Sequence, residues 1–186
     1  MKVVILIFIV LSFGWQACSS KKNSPTYHQV NTTAPENYLY RISSEENYEM
    51  GVPCGYRNAQ GEIVIPVGKY AVCWSDTIKN FGIVSDKELT DGQWTAISVS
   101  DKVLYEVHPM DNGPDYISEG MFRIIRDGKI GFADREGFII VDPIYECAFP
   151  FKNGRAKVAL DCTAEKDLDG NTIVDSQEWT FIDRKY

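Results

Sequence analysis

Hydrophobic and polar positions change character three times along the chain. Residues 3–13 form an almost unbroken apolar run behind Met1-Lys2, and Gly14-Trp15-Gln16-Ala17 follows it. A helix of that length rises about 16 Å, too short to span a bilayer. The order of a basic residue, an apolar run and a small residue predicts a secretory signal helix. Residues 19–35 are rich in Ser, Asn, Thr and Pro with little apolar content, which predicts a flexible tether. Beyond them the apolar residues come in bursts of strand length between tight-turn signals, with no period of 3.6. That pattern predicts an all-β body. The division is residues 1–17 for the signal, 18–50 for a cysteine-led tether and 51–186 for the body.

The body repeats itself. Its clearest copy runs from Arg126-Asp127-Gly128-Lys129-Ile130-Gly131-Phe132 through Asp134-Arg135-Glu136-Gly137 to Phe138-Ile139-Ile140-Val141-Asp142-Pro143. Moved back 36 positions it meets Asp91-Gly92-Gln93-Trp94 and then Val103-Leu104-Tyr105, and moved back 76 it meets Gly55-Tyr56, Asn58, Gly61 and Ile63-Val64-Ile65. Moved forward 49 it meets Trp179-Thr180-Phe181-Ile182-Asp183-Arg184. Three copies and a fragment therefore start near 54, 94, 130 and 179. Each copy predicts a short strand, a tight turn, an apolar strand and a third strand led by Gly or Asn, as at Gly120, Gly154 and Asn80. The last copy reaches Tyr186 before its glycine and reads as a cap on an open edge.

This arrangement resembles the WG-repeat family (Trp-Gly β-repeats) over about residues 51–184, most closely from Gly128 to Gly154 with Tyr145, Phe149 and Phe151. The naming dipeptide is replaced in every copy, by Cys54-Gly55, Trp94-Thr95, Ile130-Gly131 and Trp179-Thr180. The resemblance implies tandem three-strand β-repeats and a role in interaction rather than chemistry. Ala17-Cys18-Ser19-Ser20 in turn resembles the lipobox of bacterial lipoproteins, although Trp15 stands where that family has Leu. It implies a diacylglyceryl group on Cys18 and a membrane anchor. Ordinary cleavage after Ala17 is the alternative.

Charge and composition narrow the partners. The chain has 186 residues, 26 acidic against 19 basic, and a net charge of −7, with no clustered Lys and Arg to neutralise a phosphate backbone. Nucleic acid is therefore not expected. Cys54, Cys73, Cys147 and Cys162 contain no C-x-x-C spacing, which argues against a four-thiolate zinc site. Three disulfide connectivities are possible outside the cytoplasm. Cys54 with Cys73 and Cys147 with Cys162 close the shortest loops, and four separately buried thiols remain the alternative.

Chemistry-bearing motifs are sparse. His28 lies in the tether, and His108 lies in a loop-like stretch with Asp111 and Asp115. No nucleophile elbow accompanies them, so no catalytic residue is assigned. Residues 165–176 place Asp167, Asp169 and Asn171 near the spacing of a calcium loop, but Ser176 stands where the bidentate Glu belongs. An acidic hairpin turn at Asp169-Gly170 is the other reading. Tyr38, Tyr40, Tyr48, Tyr70, Trp74, Tyr105, Tyr116, Tyr145 and Trp179 exceed what a body this size must bury, and such rings suit glycan or peptide strands. Tyr145, Phe149 and Phe151 are expected in the repeat's core.

The expectation is a non-enzymatic, cell-envelope lipoprotein without a cofactor. It is held to a membrane through acylated Cys18 and faces the periplasm rather than the cell surface. Its β-repeat body binds an envelope protein or glycan. A calcium-assisted glycan or peptide binder using Asp167, Asp169 and Asn171 is the alternative.

Overall fold

A computed structural model of the chain describes residues 37–86, 93–111, 113–167 and 172–184. The signal, Cys18, His28, the Asp91-Gly92 turn, Asp169 and Asn171 lie outside the described residues. The body is all-β. A leading strand β1 (Leu39–Ser43) precedes the first copy, which holds β2 (Cys54–Arg57), β3 (Ile63–Cys73), β4 (Thr77–Ile78) and β5 (Gly82–Asp86). The second copy holds β6 (Trp94–Ile97), β7 (Val103–Val107), a small hairpin of β8 (Pro109–Met110) and β9 (Gly113–Pro114), and β10 (Met121–Arg126). The third holds β11 (Lys129–Asp134), β12 (Ile139–Tyr145), β13 (Cys147–Ala148) and β14 (Arg155–Ala159). A hairpin of β15 (Thr163–Lys166) and β16 (Thr172–Asp175) then leads to β17 (Thr180–Asp183).

Apart from the separate two-stranded hairpins β8–β9 and β15–β16, these strands follow an antiparallel meander. A ten-stranded sheet runs β12-β11-β10-β7-β6-β5-β3-β2-β1-β4, and a three-stranded sheet runs β13-β14-β17. Glu146 alone separates β12 from β13, and its N–H donates to Ala159 O at 2.9 Å, so the ladder continues across the break. β3 does the same work in one strand. Its first part pairs with β2 and its last residues, from Tyr70 to Cys73, pair with β5.

One turn recurs in all three copies. Asn58, Ser98 and Asp134 each accept, through a side-chain oxygen, the N–H groups two and four residues on, at 2.9–3.1 Å, 3.2–3.3 Å and 2.9–3.0 Å respectively. A short polar side chain that caps its own turn is what these residue types do best. The fourth turn residue has positive φ in every copy: 89° at Gly61, 59° at Asp101 and 89° at Gly137. Asp is one of the few non-glycine residues that tolerate this region. Asp101 also pairs with Lys69 and accepts from the Tyr70 hydroxyl at 2.7 Å, which ties the second copy to the first. Tyr105 repeats the link one copy on, donating to Gly137 O at 2.9 Å.

The slot after the first residue of each copy separates two strand geometries. A Cβ on Gly55 would lie 2.4 Å from Ile65 O, and one on Gly131 would lie 2.5 Å from Val141 O. There the partner strand bulges inward beside Pro66 and Pro143, and the pairing register skips. The second copy has Thr95 in this slot and no proline opposite, and β6 pairs regularly with β7 from Trp94↔Val107 to Ala96↔Tyr105. One shift is common to all three copies, at Tyr56/Arg57, Ala96/Ile97 and Phe132/Ala133, whereas the second, across the slot itself, occurs only where the slot is glycine.

Three core clusters follow the copies, each closed by a residue from the next. Tyr56, Ile65 and Ile78 pack with Ile97; Trp94, Val107 and Phe122 with Ala133; Phe132, Phe151 and Val158 with Ile182. Ile97, Ala133 and Ile182 are the same repeat position.

One expectation needs correction. The folded body begins ahead of residue 51, because β1 pairs with β2 from Tyr40↔Arg57 to Ser43↔Cys54, and Leu39 is buried in the first core. That pairing matches β5 with β6, β10 with β11 and β14 with β17, so β1 takes the place of a third strand beside the first copy. Its five residues are too short a burst to stand out against the polar segment around them. The C-terminal fragment does cover the edge of β14, but no described strand covers the other edge of β17.

Candidate functional site

The sequence-derived candidates scatter over the body. Cys54 is joined to Cys73 and Cys147 to Cys162, each with Cα atoms 6.1 Å apart. The first bridge is wholly buried in the first core, whereas Cys162 is partly exposed beside the β15–β16 hairpin. Asp167 follows β15 directly, and the calcium-like spacing sits between two strands rather than two helices. Among the described residues no three His, Cys, Asp or Glu side chains gather as metal ligands. A cleft of about 330 Å³ lies nearby, lined by Asp161, Thr163, Asp175 and Glu178 among others.

The His108 region is built for rigidity. Arg123 on β10 and Asp115, just after β9, are both buried and form an ion pair, with Nη2 to Oδ1 at 2.7 Å and Nε to Oδ2 at 2.9 Å. Asp115 Oδ2 also accepts the Arg123 backbone N–H at 2.8 Å, and Arg123 Nη1 donates to Ala148 O at 3.1 Å. A carboxylate so fully paired holds the loop against β10. His108 Nδ1 lies 2.7 Å from Pro109 O and donates to it. Burial and the Arg123 charge lower the His108 pKa, against smaller upward pulls from Pro109 O and Asp115. The imidazole is thus a neutral group bonded to its own loop. The Arg123–Asp115 clamp escaped the sequence reading, since two opposite charges eight positions apart carry no motif.

The aromatics divide differently from expectation. Tyr70 and Tyr105 belong to the core, where burial pushes their phenol pKa values up. Tyr56 behaves likewise, donating from its hydroxyl to Ser75 O at 2.7 Å. Phe149, expected in the core, is exposed, because it leaves β13 on the outer side of the sheet. Phe151 is buried as expected. Trp74, Tyr116 and Tyr40 are exposed but lie on separate copies.

One aromatic group does converge. Phe149 and Trp179 lie 5.5 Å apart between ring centroids. The Lys157 ammonium sits 4.1 Å from the Trp179 centroid and 5.7 Å from that of Phe149. Arg155 lies 5.2 Å over the Phe181 ring. β14 supplies Arg155 and Lys157 and β17 supplies Phe181, directly opposite Lys157 in the ladder, while Phe149 follows β13 and Trp179 precedes β17. It offers flat apolar rings with cations held against them, a surface that can stack on planar or extended ligands.

Residues 130–161, from β11 through β14, match the family described as WG containing repeat. The chain carries a WG repeat. Within it the Gly131 close approach, the Asp134 turn and the buried Phe132 are the geometric marks of the unit. The first two copies share the WG repeat's turn and strand order although the match does not extend over them. No curated protein and no solved structure matches the chain.

Proposed function

We propose that this WG-repeat protein is a non-enzymatic lipoprotein of the bacterial cell envelope. Cys18 anchors it to the membrane, and its β-repeat body is a periplasm-facing surface that binds and positions another envelope component. The observation carrying this reading is the convergent aromatic face of Phe149, Trp179 and Phe181 with Lys157 and Arg155, on a body whose other large rings are mostly in the core or dispersed. The His108 and Asp115 arrangement supports a binding rather than a catalytic role, since each group is committed to a structural partner.

The test is intact-mass analysis of protein extracted in detergent from its native membrane, with co-purifying proteins identified in the same preparation. The expected result is an acylated N-terminal Cys18 and a recurrent partner. Unacylated protein recovered alone from the soluble fraction would overturn the proposal.

A further inference from the structure

The repeat register places Phe181 level with Tyr56, Ala96 and Phe132. Those three are wholly buried, each in the core of its own unit, whereas Phe181 is 57% exposed. Trp179 likewise stands level with Cys54, Trp94 and Ile130, all buried, and is itself only partly covered. In each of the three units this first strand is flanked by a second strand, β3, β7 or β12, and β17 has no described strand in that place. The backbone is aimed to receive one. Arg184 N donates to Gly154 O at 2.8 Å, and amides alternate sides along a strand. Thr180 and Ile182 therefore face β14, while the N–H groups of Phe181 and Asp183 point to the open edge.

We infer that the outer edge of β17 accepts an extended, proline-free strand from another polypeptide, which completes the core over Phe181 and Trp179. This rests on the binding-surface reading above and gives it a location and a ligand class. The internal units specify the strand. Where the slot is glycine, the partner bulges inward beside a proline and leaves no room for a Cβ; where it is Thr95, the partner is the proline-free β7, which pairs without a shift from Trp94 through that slot to Ala96. β17 has Thr180 in that slot, so its acceptor geometry is that of β6. The expected register sets the ligand's equivalent of Tyr105 opposite Phe181 and of Glu106 opposite Thr180. The opposite end of the meander is closed to such addition, because β4 already pairs with β1 through Leu39↔Ile78 and Tyr40↔Thr77.

The experiment uses the full-length protein in detergent and two labelled peptides copied from its own second strands, residues 101–108 and residues 137–146, the latter containing Pro143. The first should bind saturably in fluorescence anisotropy and slow amide exchange at Phe181 and Asp183 at least tenfold. The second should bind at least tenfold more weakly, and Thr180→Gly should narrow that gap. Phe181→Pro should abolish binding of the first peptide with unaltered circular dichroism, because proline at an outward-facing edge position leaves the β14 ladder intact. Phe181→Thr, which keeps the amide, should retain it. Three outcomes would overturn the inference: equal binding of both peptides, no binding of either, or protected Phe181 and Asp183 amides in the free protein. Protection that appears only with dimer mass would assign the edge to a second copy and overturn it too. An envelope partner recovered undiminished with Phe181→Pro sinks this edge assignment while leaving the binding-surface reading standing. Peptide binding without any partner from the membrane does the reverse.

Discussion

The two ends of the meander carry the same kind of strand pairing and opposite surroundings. At the N-terminal end, β1 lies on β2 in the register that β14 uses on β17, and the edge beyond it is filled by β4. Arg41 braces that end, pairing with Asp76 at 2.6 Å, donating to Cys73 O at 3.0 Å and lying 3.9 Å over the Tyr48 ring. Tyr56 beneath it is inaccessible to solvent. At the C-terminal end the position equivalent to Tyr56 is Phe181, facing solvent on a strand with one described neighbour. One repeat position is a core residue at one end and a surface residue at the other. Burial is decided by which strands stack next to a side chain, not by its own hydrophobicity.

The sharpest way to break this comparison is to delete the same ring at both ends. Tyr56→Ala should cost about 3–5 kcal/mol in urea unfolding followed by circular dichroism. Phe181→Ala should cost less than about 0.5 kcal/mol. Similar costs at the two ends would mean that Phe181 is covered in solution. The two disulfides give the next largest contrast. Each closes a loop of 15 or 19 residues, and replacing either pair with Ser should cost about 2–4 kcal/mol. Their accessibility differs, so limiting reductant followed by alkylation and peptide mass analysis should label Cys147 and Cys162 well before Cys54 and Cys73.

A third contrast concerns the strand geometry. Gly131→Ala should cost about 1–3 kcal/mol, since its Cβ has a backbone carbonyl oxygen 2.5 Å away and β12 must shift to admit it. Thr180→Ala at the equivalent position should change stability by less than about 0.5 kcal/mol, because β17 has no described strand on the edge where β12 crowds Gly131.

The smallest effect belongs to the middle copy and gives a baseline for both ends. The folded state holds the His108 pKa below its unfolded value of about 6.5. The unfolded chain therefore binds the proton more readily, so stability is full above pH 7 and falls as pH drops through that unfolded value. His108→Gln should flatten the pH dependence of Tm between about pH 7 and 5.

Much of this was legible in the chain because the repeat writes the same physics several times. Asp134-Arg135-Glu136-Gly137 and Asn58-Ala59-Gln60-Gly61 announce the turn through a side-chain acceptor followed by a left-handed residue, and Ser98 with Asp101 performs it in less obvious letters. The strands after each turn were readable as apolar bursts. What stayed hidden depends on partners distant in sequence. β1 is a strand because β2 and β4 accept it on both sides, which no local pattern states. The clamp of Arg123 on Asp115 depends on a hairpin folding back onto β10. The aromatic face was half visible: Trp179 stood out, but Phe149 looked like core because the neighbouring Phe151 is, and Phe181 matched Phe132 too well to look exposed.

The borrowing of Ile97, Ala133 and Ile182 by the preceding cores puts the sequence period and the folding period out of phase. Duplicating one sequence period in frame inserts a first strand that closes the core before it and opens a new core that the displaced copy then closes. The array can therefore lengthen by whole periods through duplication with every internal core remaining complete. Among the described first strands β17 alone has a single neighbour, and it is handed outward unchanged at each step, so a binding edge built there survives growth of the scaffold behind it.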